Sequence, residues 1–149
     1  MRRSPGKPDD PVDELHPPSR LAELLPRADW VVIACPLTKE TRNLIDADAF
    51  KRMRKGTRLV NVARGEVVDE AAFIEAIRSG HLGGAAIDAF RQEPLPADSP
   101  LWDLPNVILS PHKASASAGN EKRCAQMFIA NFGHWMRGEP MFNVQQHLS

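Results

Sequence analysis

The chain has 149 residues, enough for one domain that buries roughly 70% of the surface its unfolded form exposes. Its 19 Lys plus Arg balance its 19 Asp plus Glu, so no net charge points to a nucleic acid or an acidic membrane as partner. No apolar run reaches the ~18 residues of a membrane span, and Met1-Arg2-Arg3 has no apolar stretch behind it to make a signal peptide. Cys35 and Cys124 are too few for a disulfide framework and lack metal-ligand spacing. A reduced, cytoplasmic setting without a metal is the expectation.

Residues 1–20 carry Pro5, Pro8, Pro11, Pro17 and Pro18 and read as a loop leading into a domain. Ser19 is placed to cap a short helix with Leu21, Leu24 and Leu25 on one side and Pro26 at its end. Trp30-Val-Val-Ile-Ala-Cys35 is a continuous β-branched apolar run, the pattern of a central strand buried on both faces. Pro36 ends it, and Lys39 to Asn43 is a polar loop. Asp46 then caps a helix, with Ile45 and Phe50 as its hydrophobic staple and Arg54-Lys55-Gly56 as its stop. Leu59 to Val62 is a short buried strand that breaks at Ala63-Arg64-Gly65. Asp69 opens a second helix with the same grammar, stapled by Val68 and Phe73 and ended by Arg78-Ser79-Gly80. Gly83 to Asp88 is a third strand, small enough in side chain for a helix to pack close. Pro94, Pro96, Pro100 and Pro105 make 91–105 a loop. Asn106 to Leu109 is a fourth strand, with Ser110-Pro111-His112 just beyond it. Ser115 to about Arg137 reads as one long helix with apolar Ala118, Ala125, Phe128, Ile129 and Phe132.

The alternation of strands and helices implies a parallel sheet flanked by helices. Arg64, Asp88 with Glu93, and His112 all fall in loops after strands, so they share the carboxyl edge where open α/β sheets bind ligands. A guanidinium there suits a small carboxylate, because its planar fork donates two parallel hydrogen bonds. Taken singly, each residue also has a plainer reading. Arg64 is then a surface arginine, Asp88 a cap, Glu93 a solvated charge and His112 a loop histidine. Trp30, Trp102 and Trp135 read as core or interface anchors, and Cys124 as packing.

Four stretches carry a family resemblance. They are Cys35-Pro-Leu-Thr38 with Glu40-Thr-Arg42; Asn61-Val-Ala-Arg-Gly65; Gly83-Gly84 through Asp88 to Glu93-Pro-Leu-Pro96; and Ser110-Pro-His112. In this order and spacing, over about residues 12–140, they resemble the NAD(P)-binding domain of the D-isomer-specific 2-hydroxyacid dehydrogenases. Glyoxylate/hydroxypyruvate reductases and phosphoglycerate dehydrogenase belong to that family. The resemblance implies hydride transfer between NAD or NADP and a small 2-oxo or 2-hydroxy acid. On it, Arg64 holds the substrate carboxylate and polarises the carbonyl, His112 is the general acid/base, and Glu93 is its carboxylate partner. Such a partner favours the imidazolium form. The cofactor positions carried over are Cys35, Pro36 and Thr41 on the adenosine and pyrophosphate side, and Val62, Ala63 and Arg64 beside the nicotinamide. Asp88 matches the aspartate for the carboxamide. Arg2 and Arg3 fall near the adenine ribose, where a basic pair suits a 2′-phosphate.

The sequence also departs from the family. No Gly-x-Gly-x-x-Gly pyrophosphate turn occurs in it. The expected fold is therefore a partial Rossmann-like doubly wound parallel sheet, without its first strands and Gly-rich turn, ending in a long helix. Its expected division is a proline-rich leading loop over 1–20, the C-terminal part of the nucleotide domain over 21–114, and a helix and tail over 115–149. On this resemblance Met1 is a candidate internal methionine. Lys113 stands where the family often has a small apolar residue; it either faces solvent or suits a more acidic substrate. The expected function is that of a truncated reductase with weak or no activity alone, homodimeric in its full-length parent. The alternatives are a non-enzymatic dinucleotide-binding scaffold, as in the C-terminal binding protein corepressors, or an inactive fragment of the same fold.

Overall fold

The computed structural model describes Met1 and residues 11–144, so Arg2 and Arg3 lie outside the described residues. The chain divides into two compact units, Met1–Lys113 and Ala114–Ser149.

The first unit holds a four-stranded sheet: β1 (Trp30–Ile33), β2 (Arg58–Asn61), β3 (Gly84–Ile87) and β4 (Val107–Leu109). Their order in space is their order in the chain, and every pair is parallel. Ile33, Asn61, Ile87 and Leu109 stand side by side across the sheet. The four strands therefore end level, and the loops that follow them open onto one edge.

Among the described residues three α-helices accompany the sheet: α1 (Leu21–Leu24), α2 (Ala47–Arg52) and α3 (Glu70–Arg78). Asp46 caps α2 by accepting from the Ala49 N–H at 2.9 Å, and Asp69 caps α3 through Ala72 N–H at 3.0 Å. Each satisfies a donor that a helix start leaves orphaned. The stapling residues Ile45, Phe50, Val68 and Phe73 are all buried. The Phe50 and Phe73 rings meet at 6.3 Å between centroids, which ties α2 to α3 over one face of the sheet. Ile33, Leu59, Ala85 and Ile87 supply the sheet side of that core. A fully buried Leu such as Leu59 contributes roughly 2–3 kcal/mol.

Four sequence expectations are corrected. Ser19 caps nothing: it lies inside a short 3-10 turn, Pro18–Arg20, whose cap position is Pro17. Trp30 to Cys35 is not a central strand buried on both faces. It ends at Ile33 and lies at the edge of the described sheet, with Val32 63% exposed, because the helices pack on the opposite face. The helix expected from Ser115 begins at Asn120 (α4, Asn120–Met136), after Gly119 turns the chain at φ +79°. Ser115, Ser117 and Gly119 favour turns over a first helical turn. Its residues Phe128, Ile129 and Phe132 are exposed, and Trp30, Trp102 and Trp135 are exposed too, which removes the core half of their reading and leaves the interface half.

Candidate active site

β2 delivers the first functional group. Its backbone stops at Asn61, and Arg64 follows in an extended conformation before a tight turn at Gly65–Val67. A Cβ on Gly65 would stand 2.1 Å from the carbonyl carbon of Phe90, so only glycine lets this turn lie against the loop after β3. The Arg64 guanidinium donates from Nη1 to its neighbour's carbonyl, Ala63 O, at 2.7 Å.

β3 and β4 deliver the rest. Asp88 follows β3, is 5% exposed, and accepts the Lys113 N–H at 2.9 Å through Oδ1. Glu93 lies at the start of the proline-rich loop, where the Glu93–Pro94 peptide is cis. One Glu93 oxygen accepts the Phe90 N–H at 2.9 Å; the other meets His112 Nδ1 at 2.7 Å. The histidine, the backbone N–H and nearby Arg64 hold the Glu93 carboxyl below its usual range, the histidine bond being the largest cause. His112 has φ +53°, in the left-handed region where histidine is one of the non-glycine residues more often found. Glu93 holds its ring, and the Asp88–Lys113 bond holds the backbone that follows.

His112 Nε2 faces Arg64 Nη1 at 3.4 Å. Arginine can only donate, so this approach fits a lone pair on Nε2 and a proton on Nδ1, shared with Glu93. With the ring protonated, Nε2–H and the guanidinium are two donors 3.4 Å apart, close enough for one carbonyl oxygen between them to accept from both. Beside the pair lies a cavity of about 770 Å³, walled by Phe90, Leu95, Trp102 and Leu109 and bordered by Glu93 and His112. Trp102 is held there by its Nε1–H bond to Pro96 O at 2.8 Å.

The structure thus brings Arg64, Glu93, His112 and Asp88 to one sheet edge. Cys35, Pro36 and Thr41 lie past β1 in a separate closed loop: Thr41 Oγ1 donates to Pro36 O and accepts from Thr38 N–H, both at 2.7 Å. Val62 is 40% exposed just past β2, whereas Ala63 is buried and its N–H is taken by Asn61 Oδ1. The Lys113 side chain is exposed and makes no ion pair among the described residues. Two contributors were not placed in the site from sequence. Asn61 opens the Asn61–Gly65 motif but lies in an apolar strand, and Trp102 lies in a proline-rich loop; the folded contacts show what each does.

A parallel α/β sheet with a guanidinium, a histidine and its carboxylate on the carboxyl edge has the layout of a nucleotide-dependent dehydrogenase domain. Residues 2–114 match the D-isomer specific 2-hydroxyacid dehydrogenase, NAD binding domain, and the chain belongs to that family. It is 44% identical over 119 residues to the glyoxylate reductase of Korarchaeum cryptofilum, covering 80% of this chain and 36% of the relative. It is 42% identical over 119 residues to the glyoxylate/hydroxypyruvate reductase B of Citrobacter koseri, covering 80% and 37%. The D-isomer specific 2-hydroxyacid dehydrogenase of Xanthobacter autotrophicus Py2, in complex with NADPH and MES, superposes with a TM-score of 0.87 at 40% identity. That match covers 97% of this chain and 59% of the other. The chain spans about a third of the length of the curated relatives it matches.

NAD or NADP is the cofactor class of this family. The residues present fit its nicotinamide end. Exposed Val62 offers an apolar spot beside Arg64, and a buried carboxylate, Asp88, stands at the next strand end. No glycine-rich pyrophosphate turn accompanies them in these 149 residues.

Proposed function

We propose that this chain supplies the acid/base half of an NAD(P)H-dependent reductase of small 2-oxo acids, of the glyoxylate and hydroxypyruvate class. The observation that carries the reading is the Arg64–His112–Glu93 line, with contacts of 3.4 and 2.7 Å. The nicotinamide, when bound, supplies the hydride. Arg64 binds the substrate carboxylate with part of its fork and lends a donor to the carbonyl oxygen. His112 gives the proton at Nε2 as negative charge develops on that oxygen. Glu93 holds Nδ1–H, which fixes the ring's orientation and balances the imidazolium charge. In the oxidative direction the same nitrogen takes the proton back.

Val62 and Asp88 hold the nicotinamide end in this reading, and Cys35, Pro36 and Thr41 line the adenosine side. Without a pyrophosphate seat among these residues the chain alone is a weak reductase. The family resemblance supports a cytoplasmic homodimer as the working form of the longer protein. The test is a fluorescence titration with NADPH and NADH, followed by addition of glyoxylate or hydroxypyruvate. Saturable binding and substrate-dependent oxidation, the oxidation lost in His112→Ala, are the expected outcome. Turnover undiminished in His112→Ala overturns the acid/base assignment.

A further inference from the structure

Asn61 is the last residue of β2 and is 1% exposed. A side-chain amide has two donor hydrogens and an acceptor oxygen, and leaving them unpaired in a dry core costs on the order of 1–3 kcal/mol. Here both ends of the amide turn to the same three-residue segment. Oδ1 accepts the Ala63 N–H at 3.0 Å, and Nδ2 donates to Arg64 O at 3.0 Å. The Asn61 backbone is spent elsewhere, since its carbonyl accepts the Asp88 N–H at 2.9 Å. The side chain therefore closes two rings over the segment that carries Arg64, while its own backbone is fixed to β3.

No other residue type with a similar shape makes both bonds. Aspartate could accept from Ala63 but would set a carboxylate oxygen against the Arg64 carbonyl. Leucine would strand the Ala63 N–H and leave the Arg64 carbonyl only its longer bond from Val67 N–H. On the far side of the turn, Gly65 rests on Phe90 and Val67 N–H reaches Arg64 O at 3.3 Å. The Arg64 backbone is thus held from two directions, and the guanidinium projects from a fixed point toward His112.

We infer that Asn61 is the positioning residue of the site: its buried amide clamps the Ala63–Arg64 turn and so sets the spacing between the Arg64 guanidinium and His112. It touches neither substrate nor cofactor and acts only through Arg64. This inference rests on the proposed role of Arg64 in holding a 2-oxo acid carboxylate.

The test is a double-mutant cycle of Asn61→Asp with Arg64→Ala, read as kcat/KM for glyoxylate with NADPH. Affinity for oxamate, an inert 2-oxo acid analogue, is measured by calorimetry as a readout free of turnover. Asn61→Asp alone is expected to raise the glyoxylate KM and weaken oxamate at least about tenfold, with NADPH affinity unchanged. This is the scale of coupling between residues in one hydrogen-bond network. In the Arg64→Ala background the same substitution should cost nothing further. An equal loss in both backgrounds overturns the inference and leaves Asn61 a purely structural residue. If Asn61→Asp fails to fold by near-ultraviolet dichroism, Asn61→Ser takes its place, since serine keeps an acceptor and leaves a smaller polar burden; the same two outcomes decide. Arg64→Ala with undiminished turnover and oxamate affinity overturns the reductase reading itself, which separates that failure from this one.

Discussion

The His112–Glu93 contact makes a prediction about pH that does not depend on turnover. Glu93 is held below its usual carboxyl value of 4.5, first by the His112 bond and then by the Phe90 N–H. A carboxyl depressed on folding adds stability above its unfolded value and loses that addition as pH falls through its folded value. Wild type should therefore exceed Glu93→Gln in melting temperature near neutral pH. The gap should close on acidification well below 4.5, where Glu93 is protonated in both states. The Glu93 carboxylate is about a third exposed, so solvent screens the effect and the gap should be small. Thermal scans of the two proteins across that range check it; a gap that stays constant rejects the ion-pair contribution. For activity, His112→Gln should lower kcat by about 10²–10⁴, the usual contribution of a positioned acid, with cofactor affinity retained. Arg64, Glu93 and His112 were legible in sequence because a parallel sheet puts every post-strand loop on one edge. Asn61 was not, because its role comes from where a buried amide points, and strand alternation is blind to that.

At the level of elements, the sequence signals that proved reliable are local. Asp46 and Asp69 cap α2 and α3 through hydrogen bonds within their own first turns, so spacing alone locates them. Asp69→Ala should lower stability by about 1 kcal/mol, the typical cost of a lost cap, measured by urea denaturation. Gly65→Ala should cost far more. Its Cβ would overlap the Phe90 backbone, and backbone cannot swing aside as a flexible side chain can. The expected result is a marked drop in the urea midpoint, together with a loss of 2-oxo acid binding as the Arg64 turn is pushed off the loop after β3. A stable Gly65→Ala protein with intact binding would show that the two loops need not touch. The less legible elements depend on distant packing. The start of α4 was misplaced because an apolar pattern ran past the serines and glycine that delay it. The burial of β1 was overestimated because a β-branched run reads the same whether one face is covered or two.

At the scale of the first unit, that one-sided burial has a physical consequence. In the register Val32, Val60, Ala86 and Ile108 lie in one row across the sheet, on the face away from α2 and α3. Val32 is 63% exposed and Ile108 70%. Among the described residues β1 pairs only with β2, which leaves its outer edge open to pair with another strand. An apolar row beside an open edge is a surface on which chains associate. The isolated 149-residue chain should therefore show light scattering that rises with concentration. Ile108→Lys adds a charge to the most exposed member of the row, removes no buried contact, and should lower that scattering. Its melting temperature should stay within a few degrees of the parent, because exposed substitutions typically change stability by less than about 0.5 kcal/mol. Val32→Lys makes the same change beside the free edge and should act more strongly, since it obstructs both the face and strand pairing. Equal scattering in all three chains would place the association elsewhere. In that event the exposed Phe128, Ile129 and Phe132 of α4 are the next residues to charge.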